Sequence, residues 1–190
     1  MFKTISPIDN SVLLERKYDS NKIEQTIDNS ITAQKKWAQV NVKERVSLLG
    51  NFVKDFLSRE DIIKEEITRQ IGRPISQVNS ELNGFKERAD HMLSIAEKKL
   101  SKISLDRGDN FENYIIRKPL GLAFVVAPWN YPYLTSVNSI IPAMAAGNTV
   151  ILKHSAQTPL CAEQLYLSAK KTLPKNVFNY LHLNHEDSLK

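Results

Sequence analysis

The chain has 190 residues, of which 42% are hydrophobic and 25% are charged, and its formal charge at pH 7 is +5. This composition is typical of a soluble globular protein with one domain or slightly more. No apolar run is long enough to span a membrane, and the N-terminal residues MFKTISPIDN lack the apolar core of a signal peptide. A single cysteine, Cys161, excludes an internal disulfide framework and suits a reducing compartment. We therefore expect a cytoplasmic location and no membrane partner.

The positive net charge of the chain makes nucleic acid a partner to consider. Lysine and glutamate are interleaved along helical segments, however, as in Lys64-Glu65-Glu66 and Lys86-Glu87-Arg88. Such interleaving is typical of solvated helix faces. We expect no nucleic-acid partner, and a basic nucleic-acid binder is the least favoured function class.

Apolar residues at helical spacing predict that the first half of the chain is helical. Ser20 is the expected cap of a first helix, in which isoleucines recur every fourth residue and Trp37 lies near the end. Asn41, with Glu44 three residues later, resembles a capping box that begins a second helix. These stripes indicate a buried core.

Two further helices complete this half, and the apolar period then changes. Gly72 followed by Pro74 is expected to end the third helix, and the fourth runs from about residue 76 to 102. Beyond it, FENYIIRKP, which contains Phe111 and Tyr114, has the β-branched and aromatic content of an extended segment.

The remaining residues alternate between strand and helix patterns. Buried strands are predicted at 122–127, 149–153 and 176–183, with helices at 133–146 and 160–172 between them. This order predicts a parallel sheet wound by right-handed crossovers, and near-continuous apolar strands fit a sheet that is covered on both faces.

Polar residues follow the first two predicted strands at the edge where such sheets bind ligands. The first strand leads to Ala127-Pro128-Trp129-Asn130, and the second leads to Lys153-His154-Ser155. A turn stiffened by two prolines can hold the Asn130 amide where negative charge develops on an oxygen, and Lys153 suits ribose hydroxyls or a phosphate. Alternatively, Asn130 caps the following helix and Lys153 marks a solvated strand end. No G-x-G-x-x-G follows any predicted strand, so the standard dinucleotide fingerprint gives no support.

The segments RKPLGLAFVVAPWNYPY and PAMAAGNTVILKHSAQTP together resemble the aldehyde dehydrogenase superfamily. WAQVNVKERVSLLGNFVKDFL and the turn Ile71-Gly72-Arg73-Pro74 resemble the N-terminal helices of that family, so the resemblance covers almost the entire chain. It implies an α/β fold, with N-terminal helices followed by the first half of a doubly wound parallel (Rossmann-like) sheet. The implied division is a helical part at 1–110, an oligomerisation-arm strand and turn at 111–121, and a partial dinucleotide-binding βαβαβ unit at 122–190.

The resemblance implies NAD(P)-dependent oxidation of an aldehyde to a carboxylic acid. In the family a cysteine thiolate attacks the aldehyde, and the residue matched by Asn130 stabilises the oxyanion. The implied cofactor contacts are Ala127, Pro128, Trp129, Asn130, Lys153, Ser155 and Ala156. Lys153 matches the lysine that bonds the adenine ribose. A homo-oligomer is implied for the full-length protein.

Two substitutions in this segment depart from the family pattern. His154 replaces a proline, a variant seen in semialdehyde-oxidising members, and Ala156 replaces a glutamate that is common in NAD-preferring members. Loss of that carboxylate removes a repulsion against a 2′-phosphate, so we expect NADP to be tolerated and slightly favoured, with Lys153 and His154 near it.

The family is more than twice as long as this chain, and its nucleophilic cysteine and its glutamate lie downstream of these motifs. We expect the catalytic domain to be absent, and Cys161 to be a packing residue at a helix start. His182 and His185 form an H-x-x-H without further ligands, so no metal site is expected. The alternatives are a non-catalytic nucleotide-binding remnant and a truncated, non-functional product.

Overall fold

The computed structural model describes residues 1–105 and 112–189. It opens with a hairpin in which β1 (Phe2–Ile5) pairs antiparallel with β2 (Val12–Arg16). The prediction of an all-helical first half is wrong here. The buried residues Phe2 and Thr4 alternate with exposed ones, which is the period of a strand.

Four helices follow, as predicted: α1 (Ile23–Trp37), α2 (Val42–Leu57), α3 (Glu60–Ile71) and α4 (Ile75–Leu100). Asn41 caps α2, because its Oδ1 accepts the N–H of Glu44 at 2.8 Å. Gly72 ends α3 in the left-handed conformation at φ 73°. Ser20 is not the cap of α1. It begins a short 3-10 turn, and its hydroxyl instead bonds the Asp187 carboxylate.

A second hairpin joins β3 (Ile103–Leu105) to β4 (Asn113–Ile115) in antiparallel register. The extended segment that was predicted around Tyr114 is therefore confirmed, whereas β3 was not predicted. Phe111, which belongs to the same expectation, lies outside the described residues. The side chains of both strands are exposed.

The main sheet is parallel, with the order β5-β6-β7, as the strand–helix alternation predicts. Its elements are β5 (Leu122–Ala127), α5 (Pro132–Ala145), β6 (Thr149–His154), α6 (Pro159–Thr172) and β7 (Phe178–Tyr180). The third strand is thus shorter than the predicted 176–183. Because the three strands are parallel, their carboxyl ends meet at one edge of the sheet.

The expectation of fully buried strands holds for β6 and fails for β5. Every residue of the central strand β6 is buried. In β5, Phe124 is 45% exposed and Val126 is 61% exposed, because β5 forms an edge of the described sheet and part of it faces solvent.

The helices cover the sheet through a large apolar core, and a smaller cluster of Ile151, Leu181 and Leu183 packs against Ile23 and Ile27. Phe56, Phe85 and Tyr133 form an aromatic cluster that joins α2, α4 and α5. The buried Trp37 indole donates from Nε1 to the Met144 carbonyl at 2.9 Å, which anchors α1 to the end of α5. Within the described residues, no helix combines the length and the apolar character needed to cross a bilayer.

Candidate functional site

A cleft of about 420 Å³ lies beyond the carboxyl ends of β5 and β6. Six of the residues predicted from the sequence line it, namely Ala127, Pro128, Trp129, Lys153, Ser155 and Ala156. The strand register places Ala127 opposite His154, so the two polar segments leave the sheet side by side. The Ser155 N–H donates to the Ala127 carbonyl at 3.1 Å and thereby extends the ladder by one bond past the strands.

Lys153 is the principal charged group of this cleft. The residue is only 6% exposed, yet within residues 1–105 and 112–189 its ammonium has no hydrogen-bond or ion-pair partner. Burial lowers the pKa of Lys153. A nearly buried cation without a counter-ion is costly unless an anion or a set of acceptors binds to it. The solvated strand end that was the alternative for Lys153 does not fit this degree of burial.

His154 faces away from the cleft and connects three segments. Its Nδ1 lies 3.1 Å from the Ser155 N–H and 2.9 Å from the Thr158 hydroxyl, so it accepts, and Nε2 donates to the Pro132 carbonyl at 3.3 Å. Burial lowers the pKa of His154 to about 4, and the charge of Lys153 acts in the same direction. The imidazole is therefore neutral at pH 7 and contributes no positive charge towards a 2′-phosphate, contrary to expectation.

Asn130 lies next to the cleft without lining it. Its Oδ1 accepts the N–H of Tyr131 at 3.1 Å, which leaves Nδ2 directed away from its own backbone as a donor. Among the described residues, Nδ2 has no acceptor. α5 begins after Tyr131 without a side-chain cap from its own chain neighbours, so Asn130 does not cap that helix.

The rim of the cleft carries no carboxylate among the lining residues that the structure describes. Ala156 is exposed there, and its carbonyl accepts the Thr4 hydroxyl at 2.9 Å, which ties the rim to the N-terminal hairpin. The electrostatic character of the cleft is thus set by Lys153.

Sequence reasoning missed five further lining residues of the cleft, namely Tyr18, Val126, Leu183, Asn184 and His185. Leu183 to His185 follow β7, so the rule that was applied to the first two strand ends would also have found them. No signal marked Tyr18, because it follows a hairpin that was not predicted.

Two other candidate residues, Cys161 and His182, do not line the cleft. Cys161 is fully buried at the start of α6, and burial raises the pKa of its thiol. His182 is buried, and its Nε2 lies 3.0 Å from a carboxylate oxygen of Glu163. In the part of the chain that the structure describes, His, Cys, Asp and Glu side chains form no group of three that could hold a metal ion.

Comparison with known proteins agrees with this architecture. The sequence model of the aldehyde dehydrogenase family matches residues 1–190. A probable succinate-semialdehyde dehydrogenase (NADP+) of Sinorhizobium fredii is 28% identical over 171 residues, which are 86% of this chain and 33% of that protein. A 2-aminomuconic 6-semialdehyde dehydrogenase of a Pseudomonas species is 28% identical over 189 residues, or 95% of this chain and 38% of that protein.

The crystal structure of an aldehyde dehydrogenase from Brucella melitensis biovar abortus 2308 superimposes with a TM-score of 0.90 at 26% identity, over 97% of this chain and 39% of that one. A parallel sheet with intervening helices and a cleft beyond its strand ends defines the doubly wound α/β class. The chain belongs to the aldehyde dehydrogenase family. It spans between a third and two fifths of the length of these relatives.

Proposed function

We propose that this chain forms the dinucleotide-binding part of an enzyme that oxidises an aldehyde to a carboxylic acid with NAD or NADP. The observation that carries the proposal is Lys153, which is 6% exposed, has no partner among the described residues and lines a cleft without acids. Such a cation suits the ribose hydroxyls or a phosphate of a dinucleotide. The bound cofactor would accept the hydride.

The residues of this chain fit two tasks in that reaction. Lys153 and the segment from Ala127 to Trp129 bind and orient the cofactor. Asn130 offers a free Nδ2 donor beside them, which suits an oxyanion on the substrate. Cys161, the chain's one cysteine, is buried, so we do not assign it as the nucleophile.

The relatives favour a semialdehyde as the substrate class, since two of them are named for semialdehydes. The proposal also includes a cytoplasmic location and, for the full-length protein, a homo-oligomeric state. Within it, the cofactor is NADP or NAD with a slight preference for NADP, because Ala156 stands where a carboxylate would repel a 2′-phosphate.

A non-catalytic nucleotide-binding protein is the second candidate. It is favoured by the burial of Cys161, the one cysteine of the sequence. Both candidates require dinucleotide binding, and they differ in whether the protein oxidises an aldehyde.

Calorimetric titration with NADP+ tests the binding claim. Lys153→Met should weaken binding about 10- to 100-fold, the range for one hydrogen bond to a charged group. Lys36→Met, a matched change at an exposed position on α1, should leave affinity unchanged. Equal affinity of Lys153→Met and the unaltered chain would refute the assignment of the cleft.

A further inference from the structure

Helix α5 starts directly behind the turn that carries Asn130, and its first N–H groups are satisfied from another helix. Pro132 at its first position has no N–H, and the next two donors, Tyr133 N and Leu134 N, lie 2.9 Å and 3.4 Å from Oε1 of Glu81. Glu81 belongs to α4 and is fully buried. The cap of α5 is thus a carboxylate supplied from a distant part of the chain.

Arg73 extends this cap to the Asn130 turn. The residue stands in the bend between α3 and α4, and its guanidinium forms an ion pair with the other oxygen of Glu81. The second terminal nitrogen donates to the backbone carbonyl of Asn130. The same guanidinium lies 4.5 Å from the centre of the Tyr131 ring.

These contacts define the backbone on both sides of Asn130. Arg73 holds the carbonyl of Asn130 and stacks on the next side chain, while Glu81 holds the N–H groups at the start of the helix that follows. The side-chain amide of Asn130 is oriented by the N–H of Tyr131. That N–H and the Asn130 carbonyl, which accepts a hydrogen bond from Arg73, belong to the same peptide group. The orientation of Nδ2 therefore depends on the orientation of that peptide.

We propose that Arg73, which is anchored by Glu81, is a positioning residue for Asn130: the guanidinium fork fixes the Asn130–Tyr131 peptide and thereby aims the Nδ2 donor. A planar fork with several donors can bridge a carboxylate and a carbonyl at once, which a single ammonium group cannot do with the same geometry. The inference rests on the proposed function, in which Asn130 meets the substrate oxygen. Neither Arg73 nor Glu81 lines the cofactor cleft.

The test measures the order of the Asn130 side-chain amide by ¹⁵N relaxation in the 190-residue chain. The informative variant is Arg73→Met combined with Glu81→Gln. The introduced glutamine side chain keeps an oxygen for the first turn of α5, and neither a buried carboxylate nor a buried cation is left alone. We expect this variant to stay folded, and the order parameter of Asn130 Nδ2 to fall from about 0.8 to below about 0.6.

Three comparisons make the result specific. Glu81→Gln alone keeps the Arg73 contact with the Asn130 carbonyl and should leave that order parameter high. Arg69→Met changes an arginine on α3 that has no contact with the Asn130 turn, and it should have no effect. The amide of Asn138, whose Nδ2 donates to the Leu134 carbonyl at 3.1 Å, should stay equally ordered in all variants.

An unchanged Asn130 order parameter in the folded double variant would overturn the proposal and leave the pair as a link between helices only. Titration of the same samples with NADP+ separates this outcome from a failure of the proposed function. We expect the double variant to bind NADP+ within about twofold of the unaltered chain, since the pair does not line the cleft. A loss of affinity as large as that of Lys153→Met would also contradict a role confined to Asn130.

Discussion

At the scale of single residues, the charge of the cleft depends on the Lys153 cation and on the absence of a carboxylate at position 156. Lys153 provides a positive charge that the protein does not neutralise among its described residues, and the described lining residues, which include Ala156, contain no carboxylate. Under the proposed function, a dinucleotide with a 2′-phosphate would meet attraction without repulsion there. The neutral His154 plays no part in this balance, because both of its ring nitrogens are engaged elsewhere.

Ala156→Glu should reverse the cofactor preference. The new carboxylate can accept from ribose hydroxyls but repels a 2′-phosphate, so we expect the ratio of NADP+ to NAD+ affinity to fall at least about tenfold, or about 1.4 kcal/mol. Calorimetric titrations with both dinucleotides measure this ratio.

Ala156→Gln is the control for that change, since it has the same size and no charge. It should alter the ratio by less than about twofold. If both substitutions shift the ratio equally, the effect is steric and the electrostatic explanation of the cofactor preference is wrong.

The sequence located the polar strand ends but not their environment. Lys153 and the Ala127–Trp129 segment could be predicted to lie together, because parallel strands end at one edge. The near-complete burial of Lys153 and the engagement of His154 depend on residues distant in the chain. No local pattern predicts that Tyr18 lines the cleft.

At the scale of elements, the segment between β6 and α6 is tied to the start of α5 by His154. The imidazole accepts from the Ser155 N–H and the Thr158 hydroxyl and donates to the Pro132 carbonyl, so protonation of Nδ1 would place a donor against a donor. Its pKa is lowered to about 4 from an ordinary value of 6.5. The two segments that frame the cleft should therefore separate more easily in acid.

The sign of the pH effect follows from these two values. Between pH 6.5 and about 4, the unfolded chain binds a proton at His154 that the folded chain excludes, so stability rises with pH. The contribution is fully present above pH 6.5 and is lost as pH falls. We expect the free energy of unfolding to drop by about 2 kcal/mol between about pH 7 and pH 5 from this group, as measured by urea titration.

His154→Gln should remove that pH dependence while lowering stability at pH 7. His91→Gln, which changes an exposed histidine on α4, should keep the dependence of the unaltered chain. If the free energy of unfolding of His154→Gln still falls between pH 7 and pH 5, another group is responsible for the pH dependence.

The secondary-structure predictions were wrong mainly where strands are short or pair with a strand that is close in sequence. The β1–β2 hairpin was missed because its strands have only four and five residues, and the helical pattern described for the first half begins only at Ser20. The exposure of β5 could not be predicted either. An apolar run indicates a buried strand, and Phe124 and Val126 lie at the edge of the described sheet.

At the scale of the whole molecule, the cleft that we propose for a dinucleotide has no thiol among its described lining residues. Cys161, the one cysteine in the sequence, is buried at the start of α6 with a raised pKa. A nucleophilic cysteine must be able to form a thiolate within reach of its substrate. Dinucleotide binding and aldehyde oxidation should therefore be separable in this protein.

The 190-residue chain alone should bind NADP+ but form no NADPH from succinate semialdehyde. Absorbance at the NADPH band measures this directly. Cys161→Ser should leave the affinity for NADP+ unchanged within about twofold, because the thiol does not line the cleft. NADPH formation that disappears in Cys161→Ser would contradict the packing role of this cysteine.

The most direct test of the central claim is an amide chemical-shift map of the chain on addition of NADP+. We expect saturable changes concentrated at Ala127 to Trp129, at Lys153 to Ala156 and at Leu183 to His185, which surround the cleft beyond the strand ends. The Lys153→Met variant should require a higher concentration to give the same map. Saturable changes centred elsewhere, or none at millimolar NADP+, would contradict the assignment of this cleft as a dinucleotide site.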